Sequence, residues 1–170
     1  KTAREGMLIR PGDSIATGPD TETIYVIGQD AFLQREDSIV GILGDTIRSG
    51  LRIVNGKLLS VFGKGMPKRI QTSTATIGIR GTGCYIEAEP KRMYICLCYG
   101  EADFTPVVAP DKAAHIATRH HESPLWISGE DRVQPFSKAP MLNHTDAELA
   151  LLESLLGRTP PFSSTSSDRY

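Results

Sequence analysis

Apolar and polar residues alternate over short stretches, and glycine breaks the pattern every few residues. The breaks at Gly6, Gly12, Gly18, Gly28, Gly41, Gly44, Gly50, Gly56, Gly63 and Gly65 have the spacing of short strands joined by turns. In residues 23–28 (TIYVIG), Ile24 and Val26 fall on one face and Tyr25 and Ile27 on the other. Residues 30–36 (DAFLQRE) alternate in the same way. Asn55-Gly56, between LRIV and KLLSVF, has the composition of a two-residue hairpin turn. Residues 69–83 are rich in Thr and Ile, good strand formers. Residues 84–89 (CYIEAE) and 93–100 (MYICLCYG) flank Pro90-Lys91-Arg92 as a second hairpin, and further strands are expected around 102–110, 113–121 and 124–129.

The period changes near residue 145. Thr145 and Glu148 have the spacing of a capping box. Leu149, Leu152 and Leu156 form a helical stripe widened by Leu151 and Leu155. Gly157 and Pro160-Pro161 end the helix. The predicted organisation is an all-β domain over residues 1–129, a Pro-containing linker over 130–144, a helix over 145–157 and a Ser-rich flexible tail over 158–170. The fold class is all-β: a compact sandwich or roll of short, mostly antiparallel strands with the helix packed on it.

Composition narrows the function. The chain has 170 residues, 39% hydrophobic and 23% charged, with a net charge of −1. That is enough chain for a core without covalent staples. The balanced charge, with no basic stripe, argues against nucleic acid as a partner. No apolar run reaches the ~20 residues of a membrane-spanning helix. The G-x-S-x-G, H-E-x-x-H and G-x-x-x-x-G-K-[ST] signatures are missing, so no catalytic residue is assigned and an enzyme is not expected.

The candidate chemistry is sulfur and imidazole. Cys84, Cys96 and Cys98 lie within fifteen residues, and His115, His120 and His121 follow closely. Cys96 and Cys98 are two apart on a strand and so share a face. Whether Cys84 joins them depends on the hairpin. A three-residue turn places Cys84 opposite Cys98, whereas a two- or four-residue turn places it opposite Leu97 and on the other face. Three readings stand side by side. The thiols are buried core residues, or Cys84 and Cys98 form a disulfide, or the cluster holds copper, zinc or iron. In the metal reading Cys96, Cys98, His120 and His121 complete a tetrahedral set, with Cys84 and His115 as further donors and Trp126 as a roof. If residues 113–121 are extended, His115 and His121 share one face. His144 adjoins the helix cap and, with Met141, makes a secondary copper-type pair. A thiol enzyme using cysteine and histidine is a further alternative.

Residues 12–38 (GDSIATGPDTETIYVIGQDAFLQREDS) resemble the opening of FecR-like domains. LRIVNGKLLSVFGKG and IQTSTATIGIRGTGCYIEAE…MYICLCYGEADF resemble the core of that family, most specifically at Thr74-Ala75-Thr76 and Arg80-Gly81-Thr82-Gly83. The resemblance spans about residues 5–106. It implies a β-rich domain exported to the bacterial periplasm that takes part in signalling with a protein partner. In the family's best-known members the signal runs from an outer-membrane iron-siderophore receptor to a sigma factor. The chain departs from that scheme. It shows no cytoplasmic anti-sigma segment and no membrane helix, and its Cys-x-Cys hairpin, His-His segment and C-terminal helix are not general family features. The expected function is an exported binding or sensory module holding a metal, with a metal-free protein-interaction scaffold as the alternative.

Overall fold

The computed structural model describes residues 2–44, 49–65 and 67–162; part of the Ser-rich tail therefore lies outside the described residues. The strands are β1 (Ser14–Ala16), β2 (Thr23–Ile27), β3 (Asp30–Gln34), β4 (Ile39–Gly44), β5 (Ser49–Val61), β6 (Lys68–Gln71), β7 (Ala75–Ala88), β8 (Arg92–Pro106), β9 (Ala114–Thr118), β10 (Leu125–Ser128) and β11 (Phe136–Lys138). Among the described residues one α-helix, α1 (Asp146–Leu155), follows. The strands form one sheet, antiparallel except for the β5–β6 pair. The all-β class with one C-terminal helix is thus the observed one.

Three strands are far longer than the glycine spacing suggests, at 13, 14 and 15 residues for β5, β7 and β8. Glycines with positive φ sit inside them rather than between them. Asn55-Gly56 is no hairpin turn, because β5 runs straight through it. A turn of that type requires positive φ at both residues, and only Gly56 has it, at 97°. Val54 is left over between the pairs Ile39–Asn55 and Val40–Ile53, which makes a bulge. Beyond it β5 leaves β4 and pairs with β3 and β7. Gly81 and Gly100 likewise accompany the register break between Arg80 and Gly83 in the β7–β8 ladder. These bends curl the sheet into a roll.

The curled sheet has two apolar faces. Inside it pack Phe32, Leu58, Ile77, Cys84, Ile86, Met93, Ile95, Leu97 and Phe104. The outer face of β3, β5, β7 and β8 carries Leu33, Leu59, Tyr85, Tyr94, Cys96 and Cys98, and α1 covers it with Leu149 and Leu152. Both leucines are fully buried, which contributes about 1.5–3 kcal/mol each. Leu151 and Leu155 face solvent rather than widening the stripe. The capping box at Thr145 and Glu148 is present. Part of the expected linker is ordered as β11, which pairs with β10.

Candidate functional site

The β7–β8 hairpin has the four-residue register. Ala88 pairs with Met93, Tyr85 with Cys96 and Cys84 with Leu97. Cys84 therefore faces the interior of the roll, while Cys96 and Cys98 face α1. The expected three-thiol patch and the Cys84–Cys98 bridge both need the other register, and all three cysteines are free thiols. Burial among aliphatic side chains pushes the Cys84 thiol up and out of the range of ordinary cysteine chemistry.

The histidines divide differently from expectation. β9 ends at Thr118, so residues 113–121 do not continue as one strand. His115 is exposed on β9 and bonds Asp103 at 2.8 Å, apart from the sulfurs. After Thr118 the chain turns tightly. The Glu122 carboxylate accepts from the Arg119 amide at 2.9 Å and the Thr118 hydroxyl at 3.0 Å, closing the turn. His121 takes φ 52° there, and its amide donates to the Cys98 carbonyl at 3.0 Å. That backbone bond sets the imidazole against β8, with Nδ1 3.2 Å from Cys96 Sγ.

The fourth member comes from the helix side. Asn143, at φ 53°, bends the chain just before the N-cap. Its neighbours are pinned: the Leu142 amide donates to Tyr94 Oη at 3.0 Å, and Arg35 donates to the Asn143 carbonyl at 2.9 Å. His144 is thereby buried against Tyr85, with ring centroids 4.7 Å apart. Its Nε2 lies 3.3 Å from His121 Nδ1. Cys96, Cys98, His121 and His144 each present one donor atom, and these atoms all lie within 4.8 Å of one another. His144, and not His120, joins His121 and the two thiols in this four-donor group, while His120 joins His121 and Asp146 in a three-donor one. Sequence reasoning gave His144 only a capping role or a place beside Met141. The available signal was its position one residue before a cap whose helix must lay its leucines on an apolar sheet face.

His120 belongs to an outer layer. Its Nε2 bonds both Asp146 oxygens, at 2.8 and 3.0 Å, and Phe162 stacks on its ring at 4.5 Å. Phe162 takes the covering role expected of Trp126, whose aromatic and cationic neighbours are Tyr94 and Arg92. Asp146 Oδ1 also bonds His121 Nε2 at 2.9 Å.

These contacts assign the protons. His121 Nε2–H donates to the Asp146 carboxylate, and its Nδ1 faces both Cys96 Sγ and His144 Nε2. His144 Nδ1–H donates to the Leu142 carbonyl at 2.5 Å, which leaves a lone pair on Nε2. His121 Nδ1 and the His144 Nε2 lone pair converge with Cys96 Sγ on one buried point, where a proton on His121 Nδ1 or a cation would be shared. The electrostatics match. Cys96 is held down at about 4, first by the Cys98 thiol donating to it and then by the imidazoles, against the opposing effect of burial. Burial pushes Cys98 well up. Burial pulls His121 down, but its bonds to Cys96 and Asp146 outweigh this and raise it. Burial of Asp146 works upward, yet the His121 and His120 bonds hold it below the usual carboxylate range.

Two open clefts of about 550 and 510 Å³ lie elsewhere. Arg92, Trp126 and Asp131 help line one, Lys64, Arg80 and Glu101 the other, and neither includes a member of the sulfur–imidazole cluster.

No protein-family model and no curated protein matches the sequence. Solved structures do match. Two crystal structures of a candidate anti-sigma factor from Parabacteroides distasonis superpose with TM-scores of 0.63 and 0.62 at 9% sequence identity. Each alignment covers 83% of this chain but only 65% and 64% of the other, so the chain spans just under two thirds of that protein's length. At this identity the likeness is one of architecture: the chain has a β-rich fold similar to that of an anti-sigma factor.

Proposed function

We propose that this chain is a regulatory or sensory module of bacterial signalling that holds one transition-metal ion between β8, the turn after β9 and the entry to α1. The ligands are Cys96 Sγ, Cys98 Sγ, His121 Nδ1 and His144 Nε2. One observation carries the reading. Both imidazoles have their outward nitrogen committed to an oxygen acceptor, and their inward nitrogens lie 3.3 Å apart beside a thiol sulfur. Two ring nitrogens at that distance share either a proton or a cation. Tetrahedral coordination at ~2.3 Å to sulfur and ~2.0–2.1 Å to nitrogen places ligand atoms about 3.3–3.8 Å apart. The 3.2 and 3.3 Å separations fit that spacing after small adjustment.

Two thiolates and two imidazoles in tetrahedral array suit zinc first, with copper and iron as competitors. Asp146 behind His121 and the Leu142 carbonyl behind His144 are the outer partners that fix ligand tautomers in metal centres. The resemblance of residues 5–106 to FecR-like domains supports an exported compartment, and the anti-sigma-factor architecture supports a regulatory role with a protein partner.

Metal analysis of protein purified without an affinity tag tests the reading. The expected result is close to one equivalent of zinc, copper or iron, lost in Cys96→Ser. Less than a tenth of an equivalent, with no uptake from added zinc, rejects it. A second reading takes Cys96–His121–Asp146 as a thiol catalytic chain. The order of contacts favours it, but Cys96 is 0% exposed and borders neither cleft. Rapid alkylation of Cys96 alone by iodoacetamide, in protein shown to be free of metal and to bind none, would favour the enzyme over the metal centre.

A further inference from the structure

We infer that occupancy of this centre latches α1 onto the sheet, so that docking of the helix reports the metal state. The inference rests on the metal reading above and adds a mechanical consequence to it. Cys96 and Cys98 come from β8 and His121 from the turn after β9, but His144 directly precedes the Thr145 cap, and Asp146 is the first residue of α1. A bound ion thus ties the helix entry to the sheet through two adjacent points, one as a ligand and one through His121.

The helix depends on being tied. It has ten residues, fewer than the ~12–15 at which an isolated helix becomes even marginal in water. It buries only Leu149, Leu152 and Glu153, while Leu151 and Leu155 stay 45% and 48% exposed. Removing the ion removes this tie and leaves His144 Nε2 joined to His121 Nδ1 by at most one shared proton, which loosens that end. Arg35, bonded to Glu148 in the first turn at 2.6 Å and to the Asn143 carbonyl, and Arg158–Glu153 at 2.5 Å at the far end, with Tyr99 on Glu153, keep the helix near the sheet whether or not metal is bound. The expected change is therefore repeated local opening over Leu33, Leu59, Tyr85 and Tyr94 rather than loss of the helix from the molecule.

Amide hydrogen exchange on the full chain, with zinc added or chelated away, tests this, with native mass spectrometry counting the bound ion. If opening requires metal release, α1 exchange slows in proportion to 1 + [Zn]/Kd, about a hundredfold at free zinc near a hundred times Kd. Peptides from β1 and β4 should not change. The double variant His144→Ala/Asp146→Ala removes both links to the helix and keeps three ligands. It should bind zinc without slowing α1 exchange. Cys96→Ser/Cys98→Ser, which removes the ion but keeps the helix links, should show the fast rate whatever the zinc level. Zinc bound with α1 exchange unchanged overturns the latch and leaves the metal reading standing. No zinc bound overturns both. A zinc effect on α1 that persists in either double variant overturns the latch.

Discussion

Replacing Asp146 with Asn isolates the contribution of the carboxylate behind His121. Asn keeps an oxygen that accepts from His121 Nε2–H at the 2.9 Å position but removes the charge. A hydrogen bond to a charged group contributes about 1.5–3 kcal/mol and a neutral one about 0.5–1.5. The difference, about 1–1.5 kcal/mol, corresponds to a roughly tenfold loss of zinc affinity. Asp146→Ala removes the acceptor as well and frees His120, whose Nε2 contacts both Asp146 oxygens. Its loss should approach the roughly hundredfold limit for outer partners of metal ligands. Zinc affinity is read by competition with a chromophoric chelator at fixed pH and ionic strength. Asp146 also serves the first turn of α1, so Asn should cost the zinc-free protein about 0.3–1 kcal/mol of stability. Urea unfolding of the zinc-free variants measures that part separately. His115→Ala, on an exposed residue paired with Asp103, is the control. The reasoning fails if both Asp146 variants bind zinc within twofold of the parent, or if His115→Ala weakens binding as much as they do.

Four further outcomes follow from the same geometry. His144→Ala should weaken zinc binding far more than His120→Ala, because His144 belongs to the proposed four-donor set while His120 bonds Asp146 and packs on Phe162 and His121; equal losses in the chelator competition would return the ligand role to His120. In zinc-stripped protein, thiolate ultraviolet absorbance should be present at neutral pH, vanish in Cys96→Ser, and in the parent fade as pH falls through about 4, whereas a signal that appears only in alkali would contradict the Cys96 assignment. Gly56→Ala should cost roughly 2 kcal/mol or more in urea unfolding, because a Cβ there falls 2.4 Å from the Ser38 Cα at φ 97°; a cost below about 0.5 kcal/mol would mean that the bend is not constrained. Leu152→Ala should cost about 2–5 kcal/mol while Leu151→Ala stays within about 0.5, and equal effects would show that α1 does not dock with this face inward.

Local chemistry made several parts of this protein legible in its sequence. Alternation and strand-forming residues gave the β class, and Thr145 with Glu148 gave the start of the helix, because both signals arise between residues close along the chain. That Cys96 and Cys98 share a face follows from the strand period alone. The remainder depends on which segments meet. Glycine marks a positive φ but does not say whether the chain reverses or bends there, so Gly56, Gly81 and Gly100 read as ends of strands when they lie inside long ones. The β7–β8 register separates Cys84 from the other thiols by one residue of slip, and the turn composition permitted either choice.

Tertiary packing alone selected His144 over His120. Adjacent histidines 120 and 121 look equivalent in sequence, but the bond from the His121 amide to the Cys98 carbonyl turns one ring toward the sulfurs and leaves the other against Asp146. His144 arrives because α1 must bury Leu149 and Leu152, and the apolar face open to them is the one that Cys96 and Cys98 share. The sequence by itself determined the donor types and their strand phase. The curl of the sheet and the docking of one short helix decided which of them converge, since the burial that drives both joins residues far apart in the chain.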